Sequence, residues 1–291
     1  MRRLGPLAAA VLLATACGSE TTVTPTERSL GVSDARPAAD ASTTTMTTTT
    51  STTRGLPSGV IPPPGWLGTR VLTLRSDGLG EIQPTPPELR DRRLVTTDVL
   101  VPPGSAAFEV RVSPVPDDVI ERSTWSSTCP VGRDDLRYVL LPFHGFDGRL
   151  HTGELLVHRD AVDVVVAGFG HLFDSGFPIE EMRVVRRDEL DAPPTGDGNN
   201  TSAFVCRQSV GSATWSQHAF GLAVDINPFH NPYAKGELVI PELASAYRDR
   251  AQRRPGMLDA ASVRAFTDAG WGWGGAWRSA KDWMHLSATG R

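Results

Sequence analysis

Residues 18–58 form a tract rich in Thr, Ser, Pro and Ala that limits where along the chain a fold can form. The tract includes Thr43–Thr50, a run of threonines broken by Met46. Such a segment has too little apolar surface to offset the entropy lost on ordering it. We therefore expect residues 17–58 to be a disordered tether with a root-mean-square reach of roughly 35 Å. Folded structure should begin near Val60.

The residues before the tether are typical of an export signal. Arg2 and Arg3 precede an apolar run over 4–16, which is shorter than the roughly 20 residues that a membrane-spanning helix needs. Small residues then lead into Cys17, and this arrangement resembles the lipobox of bacterial lipoproteins, although Leu13 lies one position further from the cysteine than usual. The resemblance implies that residues 1–16 are removed and that a lipid on Cys17 anchors the protein at the extracellular face of the cytoplasmic membrane. Plain secretion and an unmodified thiol are the alternatives.

The two remaining cysteines predict a disulfide, and the net charge limits which partners the protein can attract. Cys129 and Cys206 are an even pair in an oxidising compartment, which predicts a disulfide, with two buried free thiols as the alternative. The formal charge is −4, and loss of Arg2 and Arg3 makes it two units more negative. This balance offers no broad attraction to nucleic acid or anionic lipid, so we expect no nucleic-acid partner and membrane attachment through the lipid alone.

Local patterns predict a mixed fold. Stretches typical of strands at 69–74, 94–101 and 108–112 indicate that residues 59–128 are a β-rich N-terminal extension, which either packs on the rest of the chain or stands alone. Arg137–Leu141 and Glu154–His158 are typical of a strand pair joined across a Gly-containing turn.

Helical signals occur at two places after this strand pair. Apolar residues recur at helical spacing over 161–173, which predicts an amphipathic helix that ends near Gly176. A second helix is predicted over 260–269, with Asp259 as its N-cap and Gly270 at its end. Because strands and helices alternate without a regular βαβ rhythm, we assign the class α+β.

The segment Ser216–Asp225 is the most informative for chemistry. If residues 221–226 form a strand, Gly221, Ala223 and Asp225 share one face while the larger apolar residues between them face the core. Two small side chains beside one carboxylate leave room for an ion, and His218 lies at the strand entrance. Imidazole and carboxylate are suitable zinc ligands.

A second motif near the C-terminus completes the set. In Asp282-Trp283-Met284-His285 the carboxylate precedes the histidine by three residues, so both can share one side of a turn. His285 then supplies a third ligand and Asp282 can reach a water molecule. Three protein ligands with one open position are typical of a catalytic zinc site.

Together the two motifs resemble those of a known family. They read Ser216-x-His218-x-x-Gly221-x-Ala223-x-Asp225 and Asp282-x-x-His285. The pattern is similar to that of the zinc peptidases that comprise D-alanyl-D-alanine carboxypeptidases, D-Ala-D-Ala dipeptidases and L-alanyl-D-glutamate endopeptidases. The likeness extends over about 129–291, which we therefore expect to be a zinc peptidase domain. It implies a small antiparallel sheet flanked by helices, of the hedgehog/DD-peptidase type, with one Zn²⁺ per chain and the peptide stem of peptidoglycan as substrate.

The resemblance also implies a role for each site residue. The metal ligands would be His218, Asp225 and His285. Asp282 would be the general base. A family arginine in a strand-like segment upstream of the first motif matches Arg207, which would bind substrate and stabilise the oxyanion, and Ser216 would support the site through its hydroxyl.

Two questions stay open at this level. Many carboxypeptidase and dipeptidase relatives have Glu at the place of Asp282, whereas Asp is familiar among endopeptidase-like members, so the cleaved bond is of either the D-Ala-D-Ala or the L-Ala-D-Glu type. A non-catalytic lipoprotein that binds zinc structurally and holds wall peptides is the alternative from another class. Asp282 favours the enzyme, because a structural site has no use for a base. The sequence does not indicate an oligomeric state.

Aromatic residues and further histidines have less specific patterns. Four tryptophans lie near the last motif and form either a packed core or a wall of the substrate groove: Trp271, Trp273, Trp277 and Trp283. Five further histidines lack a partner at ligand spacing and are expected on the surface or in the core: His144, His151, His158, His171 and His230.

Overall fold

The computed structural model describes residues 55–291, and all structural statements concern this part of the chain. The predicted leader over 1–16, Cys17 and the tether up to residue 54 lie outside it. The described residues lie in one compact unit. No helix within the described range is both long enough and apolar enough to cross a membrane.

The described residues alternate short strands with few helices. The α-helices are α1 (Asp117–Arg122), α2 (Val162–Asp174) and α3 (Arg264–Asp268). The strands are β1 (Arg111–Ser113), β2 (Leu136–His144), β3 (Leu150–His158), β4 (Glu181–Met182), β5 (Asn200–Thr201), β6 (Ala223–Asp225), β7 (Tyr233–Lys235), β8 (Leu238–Ile240), β9 (Gly272–Trp273), β10 (Lys281–Asp282) and β11 (His285–Ser287). The 3-10 turns are Pro87–Leu89, Arg133–Asp135, Arg159–Ala161, Arg187–Glu189, Gln217–Phe220, Ser245–Arg248 and Gly274–Ala276.

The longest strands form an antiparallel sheet with the order β1-β2-β3. The strand pair predicted over Arg137–Leu141 and Glu154–His158 is confirmed as the centre of the β2–β3 hairpin. The predicted amphipathic helix is confirmed as α2, whose buried residues include Val165 and Phe169. They pack in one core with residues of β2 and β3 because positions four apart fall on the same helix face.

Two smaller antiparallel sheets lie in the C-terminal half, with the orders β6-β11-β9 and β10-β7-β8. A short parallel pair, β4–β5, joins residues 181–182 to 200–201. The α+β class with small antiparallel sheets and few helices is therefore confirmed, while the specific likeness to the hedgehog/DD-peptidase fold stays a prediction. The two smaller sheets meet near the C-terminus, because β10 and β11 are separated by only two residues.

Residues 59–128 pack on the C-terminal part of the chain. Their regular structure within the described range consists of β1, α1, one 3-10 turn and single bridges such as Ile61 to Leu94. Three buried leucines of this stretch, Leu72, Leu89 and Leu94, belong to one hydrophobic core. That core also contains the later residues Phe229, Leu243 and Tyr247. The extension therefore contributes to a common hydrophobic core, and the domain boundary at 128/129 stays a prediction.

The second predicted helix is shorter than expected. The N-cap of α3 is Val263, so the cap predicted at Asp259 is wrong for this helix. Asp259 Oδ1 accepts a hydrogen bond from the Ser262 amide at 2.8 Å. The Ser262 hydroxyl in turn accepts from the Asp259 amide at 2.7 Å. This reciprocal pair closes a turn of its own, so regular α-helix begins only at Arg264. Gly270, with φ of +91°, follows the helix end as predicted.

Candidate metal centre

A single 3-10 turn, Gln217–Phe220, carries His218 and is closed at both ends by residues of the first motif. Ser216 is the N-cap, and its hydroxyl accepts a hydrogen bond from the His218 amide at 3.3 Å. Gly221 ends the turn in the left-handed conformation with φ of +69°. A side chain at Gly221 would place its Cβ 2.6 Å from the His158 amide nitrogen. The turn therefore needs glycine for both its conformation and its close contact with β3.

The predicted strand over 221–226 is shorter than expected because Gly221 belongs to this turn. Strand β6 begins at Ala223, which is fully buried, and ends at Asp225. The alternation predicted for its two faces is otherwise present, since Val224 and Ile226 lie in the main core. Asp225 keeps part of its side chain exposed, at 17 %. The carboxylate therefore marks the open side of the site.

Strand register and the 3-10 turn bring the three predicted ligands together. Asp225 and His285 are directly opposite each other in the β6–β11 pair, so their side chains share one face. His285 Nδ1 lies 3.1 Å from Asp225 Oδ1, and His218 Nε2 lies 3.2 Å from Asp225 Oδ2. The two imidazoles meet with His218 Nε2 at 3.2 Å from His285 Nδ1. The ligand atoms of all three residues lie within 4.8 Å of one another.

The outer nitrogen of each imidazole bonds to a main-chain oxygen. His218 Nδ1 lies 2.5 Å from Ala203 O, and His285 Nε2 lies 3.3 Å from Arg291 O. A main-chain oxygen only accepts, so each outer nitrogen carries a hydrogen, and in the neutral imidazole the inner nitrogen then supplies a lone pair to a cation. Two lone pairs and a carboxylate then converge within hydrogen-bond distance. That donor set fits a bound cation, and histidines fixed through their second nitrogen are typical of metal ligands.

The charges of the site follow from the same contacts. Burial alone would raise the pKa of Asp225, but the two histidines outweigh it and hold that pKa well below its usual range. Burial alone would lower the pKa of His285, but the contact with Asp225 outweighs burial and raises that pKa. Asp225 is therefore an anion at neutral pH, as a metal ligand must be.

Asp282 lies beside this group with a free acceptor. Its Oδ1 is buried and has no hydrogen-bond partner in the described part of the chain. Burial, followed by the charge of Asp225, raises the pKa of Asp282 to about 7. Gly274 permits this placement, because a Cβ there would lie 2.7 Å from Asp282 Cβ. Oδ1 is therefore a buried acceptor that no residue of 55–291 satisfies.

Arg207 lies near Asp282 and directly follows a residue that is held by a disulfide and a hydrogen bond. Its positive charge opposes the rise in the pKa of Asp282, and its guanidinium donates to Gln208 O at 3.1 Å. The preceding residue forms the predicted disulfide, Cys129–Cys206, which the structure confirms. The Cys206 amide also donates to Thr124 Oγ1 at 2.9 Å. These bonds hold the backbone that leads into Arg207.

The tryptophans divide between core and site. Trp271 is buried in the main core, and Trp273 Nε1 donates to Trp283 O at 2.8 Å. The Trp277 ring centroid lies 5.9 Å from that of His285. The Trp277 ring therefore lies beside one of the three predicted ligands.

Within 55–291, none of the five further histidines joins the metal-binding group, and His230 is fully buried.

Tyr233 is a neighbour of the site that the motifs did not identify. It is the Cα partner of Asp282 in the β7–β10 pair. No residue spacing connects the two positions, which are far apart in the chain. Only knowledge of the strand pairing could have placed Tyr233 here.

Comparison with known proteins bears on the same part of the chain. Residues 210–288 match a family model described as D-alanyl-D-alanine carboxypeptidase. The matched range contains the three predicted ligands and Asp282, whereas Arg207 lies just before it. No curated protein and no solved structure matched the chain significantly.

Proposed function

We propose that the protein is a zinc-dependent peptidase that hydrolyses the peptide stems of peptidoglycan, since residues 210–288 match a family model described as D-alanyl-D-alanine carboxypeptidase. The observation that carries the proposal is the convergence of His218, Asp225 and His285 beside the unpartnered Asp282 carboxylate. Two nitrogen ligands and one carboxylate are a set that zinc uses in catalytic sites. The ion would supply Lewis-acid polarisation of the scissile carbonyl and would acidify the attacking water.

Asp282 acts as the general base in this proposal. Its free Oδ1 accepts a proton from the attacking water and passes it to the leaving amine. Burial and the charge of Asp225 raise the pKa of Asp282, which makes its carboxylate a stronger proton acceptor than an exposed one. A structural zinc site would gain nothing from a buried carboxylate without a partner. The free acceptor therefore supports an enzyme over a peptide-binding lipoprotein.

Arg207 and Ser216 have supporting roles. The Arg207 guanidinium, close enough to Asp282 to influence its pKa, binds the substrate and stabilises negative charge on the scissile carbonyl oxygen. Ser216 holds the turn that presents His218, through the hydrogen bond to the His218 amide. The description of the matched family favours cleavage of a D-Ala-D-Ala bond. The short Asp282 side chain favours an L-Ala-D-Glu-type bond, and mass spectrometry of the cleaved stem peptides distinguishes the two.

Two substitutions within the second motif test the mechanism. His285→Ala should lose zinc and activity together, because it removes one of three protein ligands. Asp282→Asn should retain zinc but lower turnover by roughly 10²–10⁴-fold, because an amide cannot accept the proton. Elemental analysis and stem-peptide cleavage would be measured on both variants.

Control substitutions use a histidine and an aspartate of α2. His171→Ala and Asp174→Asn should leave zinc content and turnover unchanged, because neither residue lies in the metal-binding group. If Asp282→Asn cleaves at the normal rate, the base is another residue. If it loses zinc as His285→Ala does, Asp282 is a ligand. If the wild-type protein binds zinc but cleaves no stem peptide, the protein is a binding lipoprotein.

The site is proposed to act at the outer face of the cytoplasmic membrane, held there by lipid on Cys17. The support is the small-residue pattern before Cys17 and the absence of a strongly basic charge balance. A Cys17→Ser variant should appear in the medium or remain unprocessed, which fractionation and intact-mass measurement would show. A processed Cys17→Ser protein that still fractionates with membranes would refute the lipid anchor.

A further inference from the structure

Tyr233 lies beside the proposed base through strand pairing. In the β7–β10 pair Tyr233 is directly opposite Asp282. Residues opposite each other in an antiparallel pair project to the same face, with Cβ atoms about 4.5–5.5 Å apart. Strand β7 also pairs with β8 on its other edge. Tyr233 is therefore held from both sides in the central strand of its sheet.

The backbone leading to Tyr233 is anchored to the strand that carries Asp225. The Asn231 side-chain amide donates to Ile226 O at 3.0 Å and to Gly256 O at 2.9 Å. Its Oδ1 accepts from the Leu258 amide at 2.7 Å. Asn231 is fully buried. These bonds tie the start of β7 to the end of β6, so the position of Tyr233 relative to the ligands is fixed.

The Tyr233 hydroxyl differs from the other two phenols of the chain. Tyr138 donates to Glu154 Oε2 at 2.5 Å, and Tyr247 donates to Leu89 O at 3.2 Å. The Tyr233 hydroxyl has no hydrogen bond to any residue of 55–291, and its side chain is only half-buried. It is therefore free to bond to a molecule that enters the site.

The electrostatic surroundings keep this hydroxyl protonated. Burial, followed by the negative charge of Asp282, raises the pKa of Tyr233 above its usual value. The phenol is thus a hydrogen-bond donor at neutral pH. A phenol is also longer than the side chain of Asp, so it can reach further from the sheet face that the two residues share.

We propose that Tyr233 is a further catalytic residue whose hydroxyl donates a hydrogen bond to the carbonyl oxygen of the peptide bond that is cleaved. The inference rests on the proposed function and adds a neutral donor to the charged Arg207. A donor placed at an oxygen that gains negative charge bonds more strongly in the transition state than in the bound substrate. Its removal should therefore lower kcat more than it raises KM.

The test compares Tyr233→Phe with Tyr247→Phe. Tyr233→Phe should lower kcat for stem-peptide cleavage by about 100-fold with little change in KM. Zinc content and melting temperature should match the wild type, because the lost hydroxyl makes no bond within the described protein. Tyr247→Phe removes two buried hydrogen bonds, from the Arg92 amide and to Leu89 O, away from the site. It should lower the melting temperature and leave kcat unchanged.

Each outcome supports or overturns a definite claim. If the wild type cleaves stem peptides and Tyr233→Phe does so at the same kcat, Tyr233 is not catalytic while the proposed function stands. If Tyr233→Phe loses activity only in proportion to lost stability or zinc, its role is packing and the inference is wrong. A wild-type protein that cleaves no stem peptide overturns the proposed function and this inference with it.

Discussion

Replacing Arg92 with Met would remove one side of a buried ion pair that joins the N-terminal extension to the rest of the chain. Arg92 Nε and Nη2 donate to the two carboxylate oxygens of Glu180 at 2.8 and 2.6 Å. Nη1 donates to Asp197 O at 2.7 Å, and the guanidinium lies 4.4 Å from the Phe229 ring centroid. The exposed fraction is 2 % for the Arg92 side chain and 10 % for that of Glu180.

The loss of free energy follows from what remains after the substitution. In Arg92→Met, Glu180 keeps only the 2.8 Å bond from Asn199 Nδ2 and becomes a buried charge without a counterion. Breaking a buried pair in this way costs about 3–5 kcal/mol of unfolding free energy. In Arg92→Met/Glu180→Gln the charge is gone and the amide can still accept from Asn199. The double variant should therefore be more stable than Arg92→Met by about 1–3 kcal/mol.

Urea-induced unfolding followed by tryptophan fluorescence would measure both differences. Arg93→Met is the matched control, because Arg93 pairs with Asp91 at 2.6 Å on the surface, with exposed side-chain fractions of 32 % and 55 %. An exposed pair of this kind contributes at most about 1 kcal/mol. A loss of less than about 1 kcal/mol in Arg92→Met would refute the argument. A separate early transition for the extension would instead show that residues 59–128 fold apart from the rest.

Two further predictions concern pH and the turn of the metal site. Burial lowers the pKa of His230 to about 4, whereas an imidazole in the unfolded chain titrates near about 6.5. The unfolded chain therefore binds the extra proton, and the unfolding free energy should fall by roughly 3 kcal/mol as the pH drops from about 6.5 to 4. His230→Gln should lack this contribution, and equal pH slopes for both proteins in urea unfolding would contradict it. Gly221→Ala should lower stability and zinc affinity more than Gly211→Ala, because both glycines have φ near +70° but only Gly221 would meet the His158 amide. Equal losses in thermal unfolding and zinc titration would show that the contact with His158 is unimportant.

The parts of the site that the sequence could predict are those encoded by short spacings. His218 and Asp225 are seven residues apart on one turn and strand, and Asp282 precedes His285 by three, so their chemistry is visible in the motif itself. The main hairpin and α2 could be predicted for a similar reason, since alternation and helical periodicity are local. The disulfide needed only an even cysteine count and an oxidising compartment.

Other features depend on contacts between distant residues and could not be predicted. Tyr233 reaches Asp282 through the β7–β10 register, which no local pattern specifies. Gly221 was expected in a strand, but its close contact with the His158 amide places it at the end of a turn. Leu72 and Leu89 have no local signal for their partners in the C-terminal core. Such pairings depend on the complete fold.

The two hydrogen bonds that orient the metal-site imidazoles have a consequence for how the protein tolerates mutation. Both acceptors, Ala203 O and Arg291 O, are main-chain atoms. In many metal sites a carboxylate side chain fills this place, and a single substitution there weakens metal binding. Here the acceptor needs no particular side chain, although Ala203 is buried in the main core and position 203 therefore accepts only a small residue. The tautomers of both imidazoles are thus insensitive to the side chain at position 291 and to small replacements at position 203, and such substitutions should leave metal affinity intact as long as the backbone keeps its path.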